Sequence, residues 1–521
     1  MSVFKRSDEM EAAYQRGQVV RHLNGGLMAM RKAKDTYLRR LPREDMADYE
    51  ARALGGRLFN GHSRTLNYFA GQVFSKDVQF LDAGQGKVDF ETIRKDADMN
   101  GSNLRTWARE LFMSGVEEGS AAVFVDYPHV QTREIQGRLE YLDQSTGRWL
   151  PKTAAADREK GWRPFFVLIR QEQILGGRFE HIDGRKTCTM LRVKEYYVEQ
   201  SDEWDLDDEP KEQVRILYPG RFEIWRKSKD ETTKTETEYL YSEGVLGPKD
   251  RPFNFIPVHF FTPGRSVEIG TGALGFIPAM ENLAWDDVSY WIATCDHEAL
   301  VKRLRNPVIF GKLLGRNEDG DIEVGLSRMV HSNDPSGDLR YAGVMDKEVL
   351  ASRQLIEDIK SDIASHGLML LTPGLSGNTK TAFQAQREVS ESTSTLRDWA
   401  LDLQNSLDEA LKFVAMWGGA EKDSEPWVQV NTDFTAALAF DHEVYRFAID
   451  AAIISRQSAF EELRRRGSFA ESLTWETEKE RLATENVAPQ PMPGSPLDFL
   501  QTAANRERSL SPGQAAQTPQ S

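Results

Sequence analysis

Between Ile277 and Leu304 the apolar residues Ile277, Met280, Ala284, Val288, Trp291, Ile292, Cys295 and Ala299 return every three or four positions. That is the period of an amphipathic helix, here roughly 40 Å long at ~1.5 Å per residue. Asn306-Pro307 closes it, because the residue before a proline is pushed out of the α region. The pattern then turns to strand and turn: Val308-Ile309-Phe310, a turn at Glu318-Asp319-Gly320, period-two alternation over 321–324 and a loop over 332–337. Helical spacing returns over 346–365 through Leu350, Leu355, Ile356, Ile359 and Ile363, and Gly367 reads as a C′ glycine that stops this helix. A Gly/Thr-rich stretch leads to a longer helix whose stripe is Leu396, Trp399, Leu403, Leu407, Leu411 and Val414, closed by Gly418-Gly419.

Around this segment the chain divides by period. Residues 7–24 and 43–75 predict helices, and 98–119 predicts a third that feeds a buried strand at Ala121–Val125. Residues 129–164 are polar and irregular, which predicts an insertion or a long hairpin. From 165 to 262 strands are expected at 165–169, 187–198, 213–217, 221–226, 237–241 and 256–261. After a short strand at Trp427–Val430 come helices near 441–454, 459–466 and 475–485. The middle one opens on Ser458-Ala459-Phe460-Glu461, a capping-box pattern. From Ala488 onward Pro, Gln, Ser and Ala dominate, a composition that predicts disorder.

Length and charge narrow the possibilities. At 521 residues and 40 % apolar the chain can build two or three domains. Lys and Arg number 66 against 81 Asp and Glu, a net charge of −15, which disfavours gripping duplex DNA but not letting it pass without adhesion. Cys188 and Cys295 stand alone and far apart, so no disulfide framework is expected. Residues 1–30 are studded with charge, and no run of eighteen apolar residues occurs, so neither secretion nor membrane spanning is expected.

Candidate catalytic chemistry is a set of near misses. Gly270 to Gly275 fits G-x-G-x-x-G, but the strand before it is weak and no second βα unit follows, so a flexible entry to the long helix outweighs a pyrophosphate cradle. Gly374 to Thr381 has the wrong lysine spacing for a P-loop. Asp296, His297 and Glu298 are consecutive on a helix and point apart, unlike an i, i+4 zinc pair. Asp202 to Glu209 lacks the glycine of a calcium loop. Arg464-Arg465-Arg466 suits the last turn of a helix better than a phosphate site. No catalytic residue, metal site or cofactor is expected.

The order helix, β excursion, helix, loop, long helix resembles the portal proteins of tailed bacteriophages. Local phrases are similar to one portal-like family catalogued as a domain of unknown function. They are Tyr37-Leu38-Arg39-Arg40-Leu41-Pro42-Arg43-Glu44; Asn60 with Arg64-Thr65-Leu66 and Gly71-Gln72-Val73-Phe74; Arg163-Pro164-Phe165-Phe166 with Glu172-Gln173-Ile174; and Ile454-Ser455-Arg456-Gln457 with Ala459-Phe460-Glu461-Glu462-Leu463. The resemblance runs over roughly 35–485. The polar stretch 129–164 and the tail depart from it.

This resemblance implies an α+β portal fold, mainly helical with a β-rich wing and a small β-containing clip. The wing would take 1–275, a stem helix 276–306, the clip 307–345, a second stem helix 346–367, a tunnel loop 368–381, a long wing helix and strand 382–440, crown helices 441–487 and a disordered tail 488–521. It implies a non-enzymatic homo-oligomeric ring of twelve copies at one capsid vertex of a virion, assembled in the bacterial cytoplasm, through which double-stranded DNA passes non-specifically. The large terminase subunit, a head–tail adaptor, and the major capsid and scaffolding proteins would be its partners, with no membrane. By position, Gly374, Ser376, Gly377, Asn378, Thr379 and Lys380 would form the tunnel loop nearest DNA. Arg316, Asn317, Glu318, Asp319, Asp334 and Asp338 would form the clip's docking surface. Two other classes remain open: a nucleotide-dependent enzyme using the 270–275 glycines, and a non-portal structural or scaffold protein.

Overall fold

The computed structural model describes residues 2–80, 90–130, 132–135, 138–143, 146–182, 184–199, 209–229, 236–248, 251–267, 274–305, 308–312, 335–336, 338–342, 346–368, 382–419, 428–432, 434, 449–450, 455–465 and 473–484. It divides into two units, Met1–Thr432 and Asp433–Ser521.

The first unit opens with helices α1 (Asp8–Asn24), α2 (Gly26–Lys32), α3 (Lys34–Tyr37), α4 (Met46–Gly55) and α5 (Gly61–Val73). The sequence predicts one helix over 43–75; two form, because the chain turns at Asn60. This residue adopts a left-handed conformation (φ 56°), and its side-chain oxygen accepts from Ser63 N to start α5 afresh. The helices α2 and α3 have no counterpart in the periodicity.

Strand β1 (Gln79–Phe80), α6 (Phe90–Lys95), α7 (Leu104–Glu118) and strand β2 (Ala121–Asp126) follow. Helix α7 starts at 104, not 98. The Asp98 carboxylate binds Asn100 N and Ser102 N in a turn, and Asn103 then caps the helix. Gly119, at φ 94°, ends α7 in the left-handed region that glycine enters without steric cost.

Residues 129–164 are neither irregular nor a single hairpin. They fold as a three-stranded antiparallel meander, β3 (Thr132–Ile135), β4 (Arg138–Asp143) and β5 (Arg148–Pro151), followed by α8 (Ala154–Glu159). Tyr141, 2 % exposed, and Trp162 meet edge to face, so two aromatics give an otherwise polar stretch a core of its own. Polar composition hid strands whose alternation is short.

The β-rich middle is β6 (Phe165–Arg170), β7 (Ile174–Ile182), β8 (Arg185–Tyr197), β9 (Lys211–Tyr218), β10 (Arg221–Lys229), β11 (Glu236–Val245), β12 (Val258–Phe261), β13 (Arg265–Ser266) and β14 (Phe276–Ile277). Strands β7 to β11 pair in sequence order as one antiparallel meander, whereas β2 lies between β12 and β6, also antiparallel. Strand β7 was not predicted, since Gly176-Gly177 and two register shifts break its alternation. Every residue of β2 is buried because both neighbours pair with it and helices α7 and α11 (Ala382–Trp417) cover it. The predicted α11 stripe holds, with Leu396, Leu403, Leu407, Leu411 and Val414 at most 3 % exposed.

Between these parts lie α9 (Glu281–Arg305), strands β15 (Val308–Lys312) and β16 (Asp338–Ala342), and α10 (Asp346–Ile363). A π-helical turn, Ala364–Leu368, extends α10, so Gly367 lies inside a widened turn and is not the expected C′ residue. Strand β17 (Val428–Gln429) pairs with β1.

The second unit contributes α12 (Arg456–Arg465) and α13 (Trp475–Thr484), held by a Phe460–Trp475 ring contact. Helix α12 begins before the predicted Ser458. The cap is Ser455, whose hydroxyl accepts from Ser458 N at 3.0 Å. The helix predicted over 441–454 lies outside the described residues apart from 449–450, as does the tail.

His62, in the first turn of α5, is fully buried, and neither ring nitrogen has a hydrogen-bond partner among the described residues. Burial alone pushes its pKa down from 6.5 to about 4. The unfolded chain therefore takes up a proton that the folded one refuses between these values, so stability is lost as pH falls from 6.5 to 4. Relative to His62→Leu, chemical denaturation should show wild type losing on the order of 3 kcal/mol over that range. Parallel pH profiles would contradict this account.

Candidate functional site

Helices α9 and α10 run antiparallel with the β15–β16 hairpin between them, paired from Val308–Ala342 to Lys312–Asp338. His297 Nδ1 lies 3.2 Å from Ser352 Oγ midway along the pair, and His366 Nδ1 lies 2.8 Å from Asp286 at its end.

That end is rooted in the N-terminal helices. Ala284, Val288, Trp291 and Cys295, all members of the predicted stripe, are at most 2 % exposed and pack on Val19, Val20, Leu23, Met30, Tyr49 and Ala53. The backbone of Gly56 lies against Cys295 and the Trp291 indole, where a side chain would not fit.

Asp287, also on this stripe and fully buried, accepts from Gly61 N at 2.8 Å and His62 N at 2.7 Å. A carboxylate on α9 thus caps α5 and meets the positive end of its dipole. Burial raises the Asp287 pKa, and the two amide hydrogen bonds act in the opposite sense. Ile363, the last residue of α10, fills the space beside Gly61.

A second clamp sits further along α9. Arg52, its side chain 4 % exposed, grips both oxygens of Glu44 at 2.8 Å and reaches Asp296 at 2.8 Å and the Arg39 carbonyl at 2.7 Å. Arg57 pairs with Glu298 at 2.8 Å. Asp296, His297 and Glu298 therefore point to three different partners, as their adjacency predicts.

Towards solvent the same helices are unfinished. Trp285 is 47 % exposed on α9, and Leu350 and Leu355 are 63 % and 53 % exposed on α10. Of the stripe predicted for α10, Ile363 is buried and Ile356 and Ile359 are half-buried, whereas Leu350 and Leu355 are left exposed by packing within one chain.

Among the proposed docking residues, Asp338 stands on β16 and pairs with Arg340 at 2.5 Å. Arg316, Asn317, Glu318, Asp319 and Asp334 lie outside the described residues, as do Gly374, Ser376, Gly377, Asn378, Thr379 and Lys380. The strand expected over 321–324 and the acidic run Asp202 to Glu209, apart from Glu209 itself, also fall outside them. Of the arginine run, Arg464 Nη1 donates to the Leu473 carbonyl at 3.3 Å, a structural use.

The glycine motif is taken up by the fold. Its described end, Leu274 N and Gly275 N, donates to Glu9 Oε1 at 2.6 and 2.8 Å. Strands β13 and β14 on either side pair antiparallel, not in a parallel βαβ unit. Two amides that a phosphate would need already hold a carboxylate. Among the described residues no group of three or more His, Cys, Asp or Glu could hold a metal ion, and no helix is long and apolar enough to cross a membrane. Sequence reasoning missed Asp287 and Arg52; the available signal was a carboxylate interrupting the apolar α9 stripe.

Residues 279–418 match the family described as "Domain of unknown function (DUF4055)", a span from the foot of α9 through the hairpin and α10 to the end of α11. No curated protein matches. Similar solved structures include a chain of the "Virion of native gene transfer agent (GTA) particle", 12 % identical over 84 % of this chain and 97 % of that one, with a TM-score of 0.37. A chain of the "Neck of empty GTA particle computed with C6 symmetry" is 11 % identical over 84 % and 97 %, also at 0.37. Scores of this size carry no argument about function.

Asp287→Ala leaves two buried amides without an acceptor, each costing about 1–3 kcal/mol. Chemical denaturation should show a loss of about 2–4 kcal/mol, and Asp287→Asn, which keeps one acceptor, a smaller one. Equal losses from both variants would place the effect elsewhere.

Proposed function

We propose that this chain is the subunit of a portal ring at a capsid vertex, a conduit for genome packaging and ejection and the attachment point for head–tail connector proteins. The observation that carries the reading is the helix pair α9–α10, anchored by Asp287 at one end and by Arg52 further along yet leaving Trp285, Leu350 and Leu355 unburied. Large apolar side chains on a rigid, well-anchored pair mark a surface completed by another molecule. A neighbouring copy in a ring completes it at every subunit.

In this reading 1–275 forms the wing, 276–306 and 346–367 the stem, and 307–345 the clip, whose residues Arg316 to Asp319, Asp334 and Asp338 meet the terminase and later an adaptor. Residues 368–381 form the tunnel loop, with Gly374, Ser376 and Gly377 giving it freedom and Asn378, Thr379 and Lys380 nearest DNA. The segment 382–440 returns to the wing, and 441–487 forms the crown. The chain has no catalytic role. A net charge of −15 per copy repels phosphate and lets DNA move without adhering. The dinucleotide alternative is disfavoured by the Glu9 carboxylate on Leu274 N and Gly275 N.

Native mass spectrometry with negative-stain imaging of the purified full chain tests this. A closed ring near twelve subunits, with a hole wide enough for duplex DNA, is expected. A chain that stays monomeric or dimeric at high concentration would sink the proposal, and self-association without such a hole would favour the scaffold class.

A further inference from the structure

The loop Tyr37 to Glu44, beside α9, is held by a dense set of its own hydrogen bonds. Arg52 fixes it from within through Glu44 and the Arg39 carbonyl, Glu44 Oε2 accepts from Leu41 N at 2.9 Å, and Arg40 Nε donates to the Glu44 carbonyl at 2.7 Å. Arg43 stands at φ 68°, a conformation non-glycine residues seldom adopt. The inward groups are satisfied among themselves. Arg39 and Arg43 are left facing solvent beside Leu41 and Met46, 46 % and 55 % exposed. Arg303 of α9 is exposed as well, and its charge reaches Glu44. In a chain of net charge −15 this is a local excess of cations.

Helix α10 carries the complement. Its exposed stripe 348–351–355–358–362, spaced by three and four, holds Glu348, Ala351, Leu355, Asp358 and Asp362. The nearest cation is Lys347, one residue round the helix. None of these three carboxylates has an ion-pair partner among the described residues, and Asp358 accepts only from Gln354, at 2.8 Å. Within one chain the loop and this stripe form no ion pair among the described residues; the loop lies on α9 through Asp296, while α10 meets α9 through His297 and Asp286. Since α9 and α10 are antiparallel with His297 beside Ser352, the loop at Asp296 is level with residues 352–353 of α10. A second copy related by rotation about an axis along the pair would present Glu348 and Asp358 about 7 Å to either side of that height.

We propose that the 39–43 loop docks on the acidic, apolar-centred stripe of α10 in the next copy, with Arg39 and Arg43 against Glu348 and Asp358, and Leu41 against Leu355. This rests on the ring reading and names the contact that sets the register between neighbours. Paired charges at a protein interface contribute specificity more than raw affinity, and guanidinium–carboxylate forks add geometry to that choice.

Charge reversal on each side, alone and together, tests it in the full chain by native mass spectrometry. Arg39→Glu with Arg43→Glu, and separately Glu348→Lys with Asp358→Lys, should each lower the fraction in closed rings at least tenfold. The fourfold variant should return to within about twofold of wild type, which requires that it fold. If reversing the loop lowers thermal stability, the neutral pair Arg39→Gln with Arg43→Gln carries the test, with at least a threefold fall expected. Unchanged ring yield in the loop variants, or no rescue by the combination, would overturn the pairing while wild-type rings keep the ring reading intact. Loss of duplex-DNA retention with ring yield unchanged would reassign the loop to nucleic acid. A wild-type chain without rings overturns the ring reading itself.

Discussion

The arrangement of α9 and α10 depends on one buried carboxylate. Asp287 sits in the apolar stripe of α9 with no exposure, where an unpaired anion would be costly, and it is held there by the two free amides that open α5. Each side resolves the other's unmet need: α5 starts with donors that have no helical partner, and α9 carries an acceptor that has left water. Their pairing fixes where α9 crosses the N-terminal helices. Ile363 can then lie beside Gly61, whose missing side chain leaves room, and α10 returns to the same point from which α9 departs.

From this root outward, the balance of forces changes. Near Trp291 and Cys295 the helix is enclosed by α1 and α4, and burial pushes the Cys295 thiol up to about 12, leaving a packing residue and not a reactive one. Farther along, Arg52 replaces apolar packing with an ion network in which Arg52 and Glu44 are buried and Asp296 is half exposed, so that removing Glu44 would leave a buried guanidinium without its main partner. On the open faces Leu350 and Leu355 have no neighbour to bury them. The pair is firmly oriented but incompletely covered, a combination that makes a subunit of an assembly more readily than a self-sufficient domain.

Much of this was legible in the sequence, and what was not has physical reasons. The stripes of α9 and α11 were visible because one face of each meets a core, so period and burial coincide. The α10 stripe was equally visible, but periodicity cannot say whether the partner of an apolar face lies in the same chain. The break at Asn60 escaped notice because the apolar period continues on both sides while the turn is made by one left-handed residue. Strand β7 was hidden by Gly176-Gly177, and the 132–151 meander by its polar composition. Asp287 and Arg52 lay in plain view in helical stripes, but a charged residue reveals its partner only once α5 and the 38–44 loop are brought together from over two hundred residues away.

Charge then sets the terms on which copies can meet. Identical chains at −15 repel one another at long range, and at physiological ionic strength that repulsion is screened beyond about 8 Å. Association must therefore be decided at contact distance, by apolar side chains and by local departures from the acidic average. The cations of the 39–43 loop and Arg303 are such a departure, held in place by acids already neutralised inside the fold. An overall acidic surface with one preformed cationic loop repels most approaches and favours the one that brings that loop onto carboxylates. Like-charged copies brought together in the proposed ring can in this way adopt a single register.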